Sequence, residues 1–327
     1  MVDTGEDVAT IFEDLGDLER DFANVELDAL RRKEFALKSL YSKRKALLDR
    51  VPNFWSTVFG NAPEEVQQFF SPPDLALISS ITSFSVDRYQ IEQELKGEPR
   101  SLRFTFEFAP NDIIEDTKLV KEFEYKPRAD GPGNLISKPV PIKFKSKKKD
   151  VTHGLLDAAV ELYSAEEALK LKNGDSKIDI VDREALWQHE KLREKMIKLD
   201  EESEQEPSFF NWFGFRGAVN TNAEREAKLS TANGTSSPDE EDEDDEDEID
   251  QMLEVEIFPA GEEVAITLAE DLWTDAMDYF MSAQDEASFE ASAFDIDEDD
   301  GVSDDADEAP ELVPAEEERP RKKQRKT

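Results

Sequence analysis

The 327-residue chain has no cysteine. That excludes disulfides, thiolate metal sites and cysteine nucleophiles, and it suits a reducing compartment. Histidine is nearly missing too. His153 and His189 are the whole supply. Both fall in helical patterns among Lys and Glu, where a surface or packing role is the plain reading. There is no HExxH spacing, no GxSxG elbow and no glycine-rich loop opening a helix. The stretch Asp295–Gly301 imitates a calcium loop. Its glycine comes one place late, and Ala306 stands where the closing Glu belongs. No apolar run is long enough to span a bilayer, and the first residues lack a signal-peptide pattern. These absences predict a soluble, intracellular, non-enzymatic chain with no metal and no cofactor.

Positive charge is the other scarcity. The chain carries 79 Asp and Glu against 40 Lys and Arg, a net charge of -39. Residues 1–207 hold 42 acids and 31 bases, and residues 208–327 hold 37 acids and 9 bases. The excess is concentrated at Asp239–Asp250, with eleven acids in twelve places, and again beyond residue 283. A field of this sign repels nucleic acid and anionic membrane and attracts basic partners. Weak or no DNA binding is therefore expected, and no membrane binding.

What the chain has in plenty is helical and strand periodicity. Val8, Ile11, Leu15, Leu18, Phe22 and Val25 follow a 3-4-3-4-3 spacing, the seam of a coiled coil. The phase then slips by one residue. It resumes through Leu30, Leu37, Leu40, Leu47 and Val51, with Lys33 and Arg44 at two seam positions. One helix over 6–51 is predicted, stopped by Pro52. No other segment matches it in length, so a second copy of the same helix is its simplest cover, and a two-fold pair satisfies a self-complementary stripe. The alternative is packing of one half on the chain's own domain.

Short helices are expected at NFWSTVFG, APEEVQQFF and PPDLALISSI, with Pro63 and Pro72-Pro73 at their starts. Strand alternation follows at 81–92, at Leu102–Phe108, around Phe123 and Tyr125, and at Val140, Ile142 and Phe144. Four strands in succession predict an antiparallel meander with one covered face. Helical period returns over 151–172 and 179–203, and an aromatic cluster follows at Phe209, Phe210, Trp212, Phe213 and Phe215. The fold class is α+β, in three parts: a dimerisation helix 6–51, an α/β domain 52–282 and an acidic tail 283–327. Within the domain lie an extended helical pair at 153–205 and a flexible acidic loop at 216–250. Composition predicts disorder for the tail.

Five segments in order resemble the nucleosome assembly protein family, and most of all its SET-type histone chaperones. They are PNFW at 52–55 after the long helix, RFTFEFAPNDIIEDTKLVKEFEY at 103–125, PIKFKSKKKDVT at 141–152, EPSFFNWF at 206–213 and EVAITLAEDLWTDAMDYF at 263–280. The resemblance implies a homodimer with antiparallel long helices and α/β "earmuff" domains whose concave underside binds core histones. The pair at 153–205 is longer than the SET-type pattern, and the run at 239–250 precedes the closing helix instead of following it.

The candidate histone-binding carboxylates are Glu107, Asp112, Glu115, Asp116, Glu122 and Glu124 on the hairpin, with Asp271 and Asp275 near the closing helix. Each alone reads more readily as a solvated surface residue; the cluster is the stronger candidate. The run Arg321, Lys322, Lys323, Arg325 and Lys326 resembles a nuclear import signal, which implies a nuclear protein with room for shuttling to the cytoplasm. Lys147–Lys149 read as a solvated turn. Ser237, before Pro238 and the acidic run, is a candidate phosphosite. Two other readings stand beside the chaperone. One is an acidic cofactor or inhibitor of a chromatin enzyme, either a histone acetyltransferase or a phosphatase. The other is a cytoplasmic adaptor.

Overall fold

A computed structural model describes residues 4–127, 133–173, 178, 182–183, 185–201, 207–217 and 255–285. Helix α1, Thr4–Leu48, is a single 45-residue rod. It stops three residues before the predicted end. Arg50 N–H bonds to Leu47 O at 3.1 Å and Val51 N–H to Leu48 O at 2.9 Å, so the last turn tightens to 3-10 geometry ahead of Pro52. Three short helices follow as the prolines predict: α2 Phe54–Gly60, α3 Glu64–Gln67 and α4 Pro72–Ile78. Ser71 and Asp74 form a reciprocal capping box at the start of α4.

The sheet is β1 Ile81–Asp87, β2 Leu102–Phe108, β3 Lys118–Lys126 and β4 Asn134–Ser137, antiparallel in chain order. The expected strand at Val140–Phe144 is a correction: β4 lies earlier. Pro139 and Pro141 lack the N–H that a ladder needs. That segment instead runs alongside its neighbours, with Val140 N–H on Phe213 O at 2.8 Å and a lone bridge between Ile114 and Phe144. The first strand also ends earlier than expected, at Asp87.

Alternation in β2 turns Phe104, Phe106 and Phe108 inward. They meet Trp55, Phe59, Phe84, Trp212 and Phe213 in one aromatic core. The predicted aromatic cluster is a 3-10 helix, Phe209–Gly214, and it is buried there. Trp55 stacks on Trp273 with ring centroids 5.7 Å apart. Trp273 also touches Tyr41 of α1 at 5.6 Å, so the rod is fastened to the core by aromatic contacts.

Helices α5, Leu155–Asn173, and α6, Trp187–Glu201, pair over a second small core of Leu155, Ala158, Ala159, Leu162, Leu192, Val255 and Ile257. His189 is buried in α6. His153 is not helical: it sits in the turn before α5 with φ 54°. Helix α7, Gly261–Thr267, runs into a π-turn at Leu268–Leu272 and then a helical segment 276–285. No helix among the described residues is long and apolar enough to cross a membrane. The acidic run at 239–250, the tail, Ser237 and the basic end at 321–326 lie outside the described residues.

Candidate functional site

The ladder decides what surrounds each hairpin carboxylate. On the outward face, Glu107 stands opposite Lys118, and Arg103 opposite Glu122. The first pair closes to 3.6 Å, and the second is a 2.7 Å hydrogen-bonded ion pair. Glu124 binds Lys126 at 2.7 Å. Three of the six predicted hairpin acids are thus matched by a cation next to them, and this face is mixed in charge.

The β2–β3 connection is different. Asn111 Oδ1 accepts from the N–H groups of Ile113 and Ile114, both at 2.9 Å, and both isoleucines are buried. Glu115 N–H reaches Lys143 O, and Lys145 N–H reaches Ile113 O, each at 2.8 Å. The Asp116 carboxylate accepts from Lys143 N–H at 2.7 Å. The loop is therefore rigidly seated. It exposes Asp112 and Glu115, neither of which is in an ion pair among the described residues. Next to it, Lys143, Lys145 and Lys147–Lys149 form an exposed basic turn.

Asp275 stands near Arg44 of α1, and Asp271 is engaged by its own segment. Asp271 accepts the Tyr279 hydroxyl at 2.8 Å. Burial first, and then this carboxylate, hold the Tyr279 phenol above its usual range. Arg44 lies over the Trp273 ring at 4.1 Å and donates to Trp273 O at 2.5 Å. Burial lowers the Arg44 pKa, and the negative charge of Asp275 opposes that shift. The eight predicted acids fall into three environments: paired strand face, seated loop and helix junction.

Sequence reasoning missed the buried charges. Lys121 occupies a core-facing position of β3 between Leu119 and Phe123 and is fully buried. Its ammonium donates to Lys138 O at 2.9 Å, Phe213 O at 3.0 Å and Phe215 O at 2.7 Å. Burial pushes its pKa well below the usual lysine range; Glu256 opposes that shift and Arg216 adds to it. Asp74, also fully buried, accepts from Ser208 and from two backbone N–H groups. Burial raises its pKa in spite of those donors. Glu166 of α5 takes Arg216 and Arg183 as partners. Glu256 accepts from Arg216 N–H at 2.9 Å and Gly217 N–H at 3.2 Å. The period-2 pattern was a usable signal for Lys121. The other pairings join residues too far apart in sequence to leave one.

Residues 13–160 match the nucleosome assembly protein (NAP) family. A nucleosome assembly protein of Schizosaccharomyces pombe is 28% identical over 147 residues, covering 44% of this chain and 58% of the relative. Protein SET of Drosophila melanogaster is 29% identical over 113 residues, covering 34% of this chain and 39% of the relative. The match thus spans little more than half of the curated relatives at most. Among solved structures, Vps75 aligns with a TM-score of 0.51 at 19% identity, over 84% of this chain and 99% of that one. A Ccp1 mutant aligns with a TM-score of 0.50 at 21% identity, over 86% and 98%. Both speak for the earmuff fold.

Proposed function

Because the chain carries a nucleosome assembly protein domain, we propose that it is a homodimeric histone chaperone. The observation that carries this reading is the union in one chain of that fold and a net charge of -39. Core histones are basic, and a carboxylate-rich partner attracts them through a salt-screened field that speeds encounter more than it fixes affinity. The folded surface then supplies selection. Asp112 and Glu115 are its best-placed acids, being exposed and seated on a rigid loop. Glu107, Glu122 and Glu124 contribute less, since each is already neutralised. The runs Asp239–Asp250 and Asp295–Glu318 serve capture. Arg321–Lys326 supplies the nuclear address.

Charge along α1 supports the dimer. Before residue 27 its acids are Glu6, Asp7, Glu13, Asp14, Asp17, Glu19, Asp21 and Glu26, against Arg20 alone. After it the bases are Arg31, Arg32, Lys33, Lys38, Lys43, Arg44 and Lys45, against Asp28 and Glu34. The order complements the helix dipole, and antiparallel pairing sets the acidic half of one rod on the basic half of the other. The seam residues Val8, Ile11, Leu15, Leu18, Phe22, Val25, Leu40 and Leu47 are exposed in the single chain, a stripe that needs a cover.

Titration with each of the two core-histone heterodimers tests the function. Binding at low salt that weakens steeply with added salt is expected; no binding at low salt would sink the chaperone reading. Light scattering on Leu15→Asp with Leu18→Asp should show monomers, and an unchanged mass would remove the dimer. A second reading, a docking cofactor for a chromatin enzyme, is favoured by Trp187, which is 64% exposed on α6. Tryptophan in that setting is a typical binding anchor.

A further inference from the structure

The phase slip in the α1 seam has a symmetry. Read outward from a point between Leu27 and Asp28, the two half-seams are mirror images. Val25 matches Leu30, Phe22 matches Lys33, Leu18 matches Leu37, Leu15 matches Leu40, Ile11 matches Arg44 and Val8 matches Leu47. An uninterrupted 3-4 repeat is its own mirror about every gap, so registers a heptad apart are equivalent. The five-residue step from Val25 to Leu30 occurs once. Within α1, only a dyad through that step maps the seam onto itself.

The C-terminal half of α1 has a second stripe, turned toward its own domain. Glu34 and Leu48 are buried, and Tyr41 packs on Trp273. Between this stripe and the seam lies an open cleft of about 270 Å³, lined by Leu30, Lys33, Lys38 and Tyr41 of α1 and by Arg88 and Trp273 of the domain. Two of those residues, Leu30 and Lys33, are themselves seam positions.

Building on the dimer reading, we propose that the slip fixes the pairing register and that the second copy completes this cleft with Phe12. With the dyad between Leu27 and Asp28, the residues flanking the seam also face one another. Phe12 of one copy lies beside Tyr41 of the other, and Asp14 beside Lys43. Phe12 is off the seam and 67% exposed in the single chain; the paired rod sets it against the Tyr41 and Trp273 rings of a cleft whose other walls are largely charged. Lys33 receives the acidic half of the same helix, while Lys38 is already held by Ile91 O and Asp87 of its own domain.

The absence of cysteine makes a direct test available in the full chain. Leu18→Cys with Leu37→Cys should form an intermolecular disulfide on mild oxidation, since those positions are about 28 Å apart along one rod. Leu18→Cys with Leu30→Cys, and Leu18→Cys with Arg44→Cys, report the registers one heptad to either side. We expect the first pair to crosslink at least about tenfold faster than either. Val8→Cys with Leu47→Cys repeats the test at the rod ends if loss of two inner leucines weakens pairing. A dimeric mass with a shifted pair crosslinking first overturns the register and leaves the dimer standing. A monomeric mass for the unaltered chain overturns the dimer itself. For the cleft, Phe12→Asp should weaken dimerisation by about tenfold or more while Phe35→Asp, on the face turned away from the seam, changes it by less than about threefold. Equal effects would show that Phe12 does not enter the cleft.

Discussion

The Asp74 carboxylate accepts the Ser208 hydroxyl at 2.6 Å and the Phe209 N–H at 2.9 Å. The same side chain caps its own helix through Ser71 N–H at 3.0 Å. One buried group thereby closes the N-terminus of α4 and starts the 3-10 helix that carries Trp212. Asp74→Ala removes both caps and orphans buried donors, so a loss of about 2–4 kcal/mol is expected in denaturant unfolding. Asp74→Asn, which keeps an acceptor, should recover part of it.

Lys121 sets a sign for pH. Its folded pKa lies well below the unfolded lysine value. Its contribution to stability is therefore full above the unfolded pKa and is lost as pH falls through the folded pKa. The unaltered protein should gain thermal stability relative to Lys121→Met as pH rises from about 7 to 10. At neutral pH the variant leaves three carbonyls without their donor, which costs about 1–3 kcal/mol. Parallel melting curves at the two pH values check both statements.

Arg44 joins rod to domain by stacking on Trp273 and by two carbonyl hydrogen bonds. Arg44→Ala should cost about 2–3 kcal/mol at fixed protein concentration. Arg44→Lys should restore little, because an ammonium cannot reproduce the planar stack. Chemical denaturation of the three proteins side by side measures the order.

The hairpin acids should separate in a histone titration. Asp112→Ala with Glu115→Ala should weaken binding more than Glu107→Ala with Glu122→Ala, by about threefold or more. The second pair already spends its charge on Lys118 and Arg103. Equal effects would mean that net charge alone governs the interaction.

Periodicity made much of the fold readable. The long helix α1 and the Phe104–Phe106–Phe108 alternation both formed as their periods dictate. The fourth strand was misplaced because Val140–Phe144 alternates well while its prolines forbid the ladder. Alternation records which way side chains point; only the donor count records whether a strand can pair. The candidate site was less readable for a related reason. A carboxylate's neighbours depend on cross-strand register, and Glu122 gained Arg103 across a hairpin that sequence spacing does not resolve. The clusters around Glu166 and Glu256 draw on four distant segments, so no local pattern announces them.

Glu256 holds Arg216 and Gly217 by their N–H groups, so two points of the chain 39 residues apart are clasped together. The clasp makes this point the natural place for the sequence to grow. Once a loop's ends are held, each doubling of its length costs only about 0.6 kcal/mol. An engineer seeking to insert a reporter would therefore start beside Gly217, where Glu256 already holds the backbone.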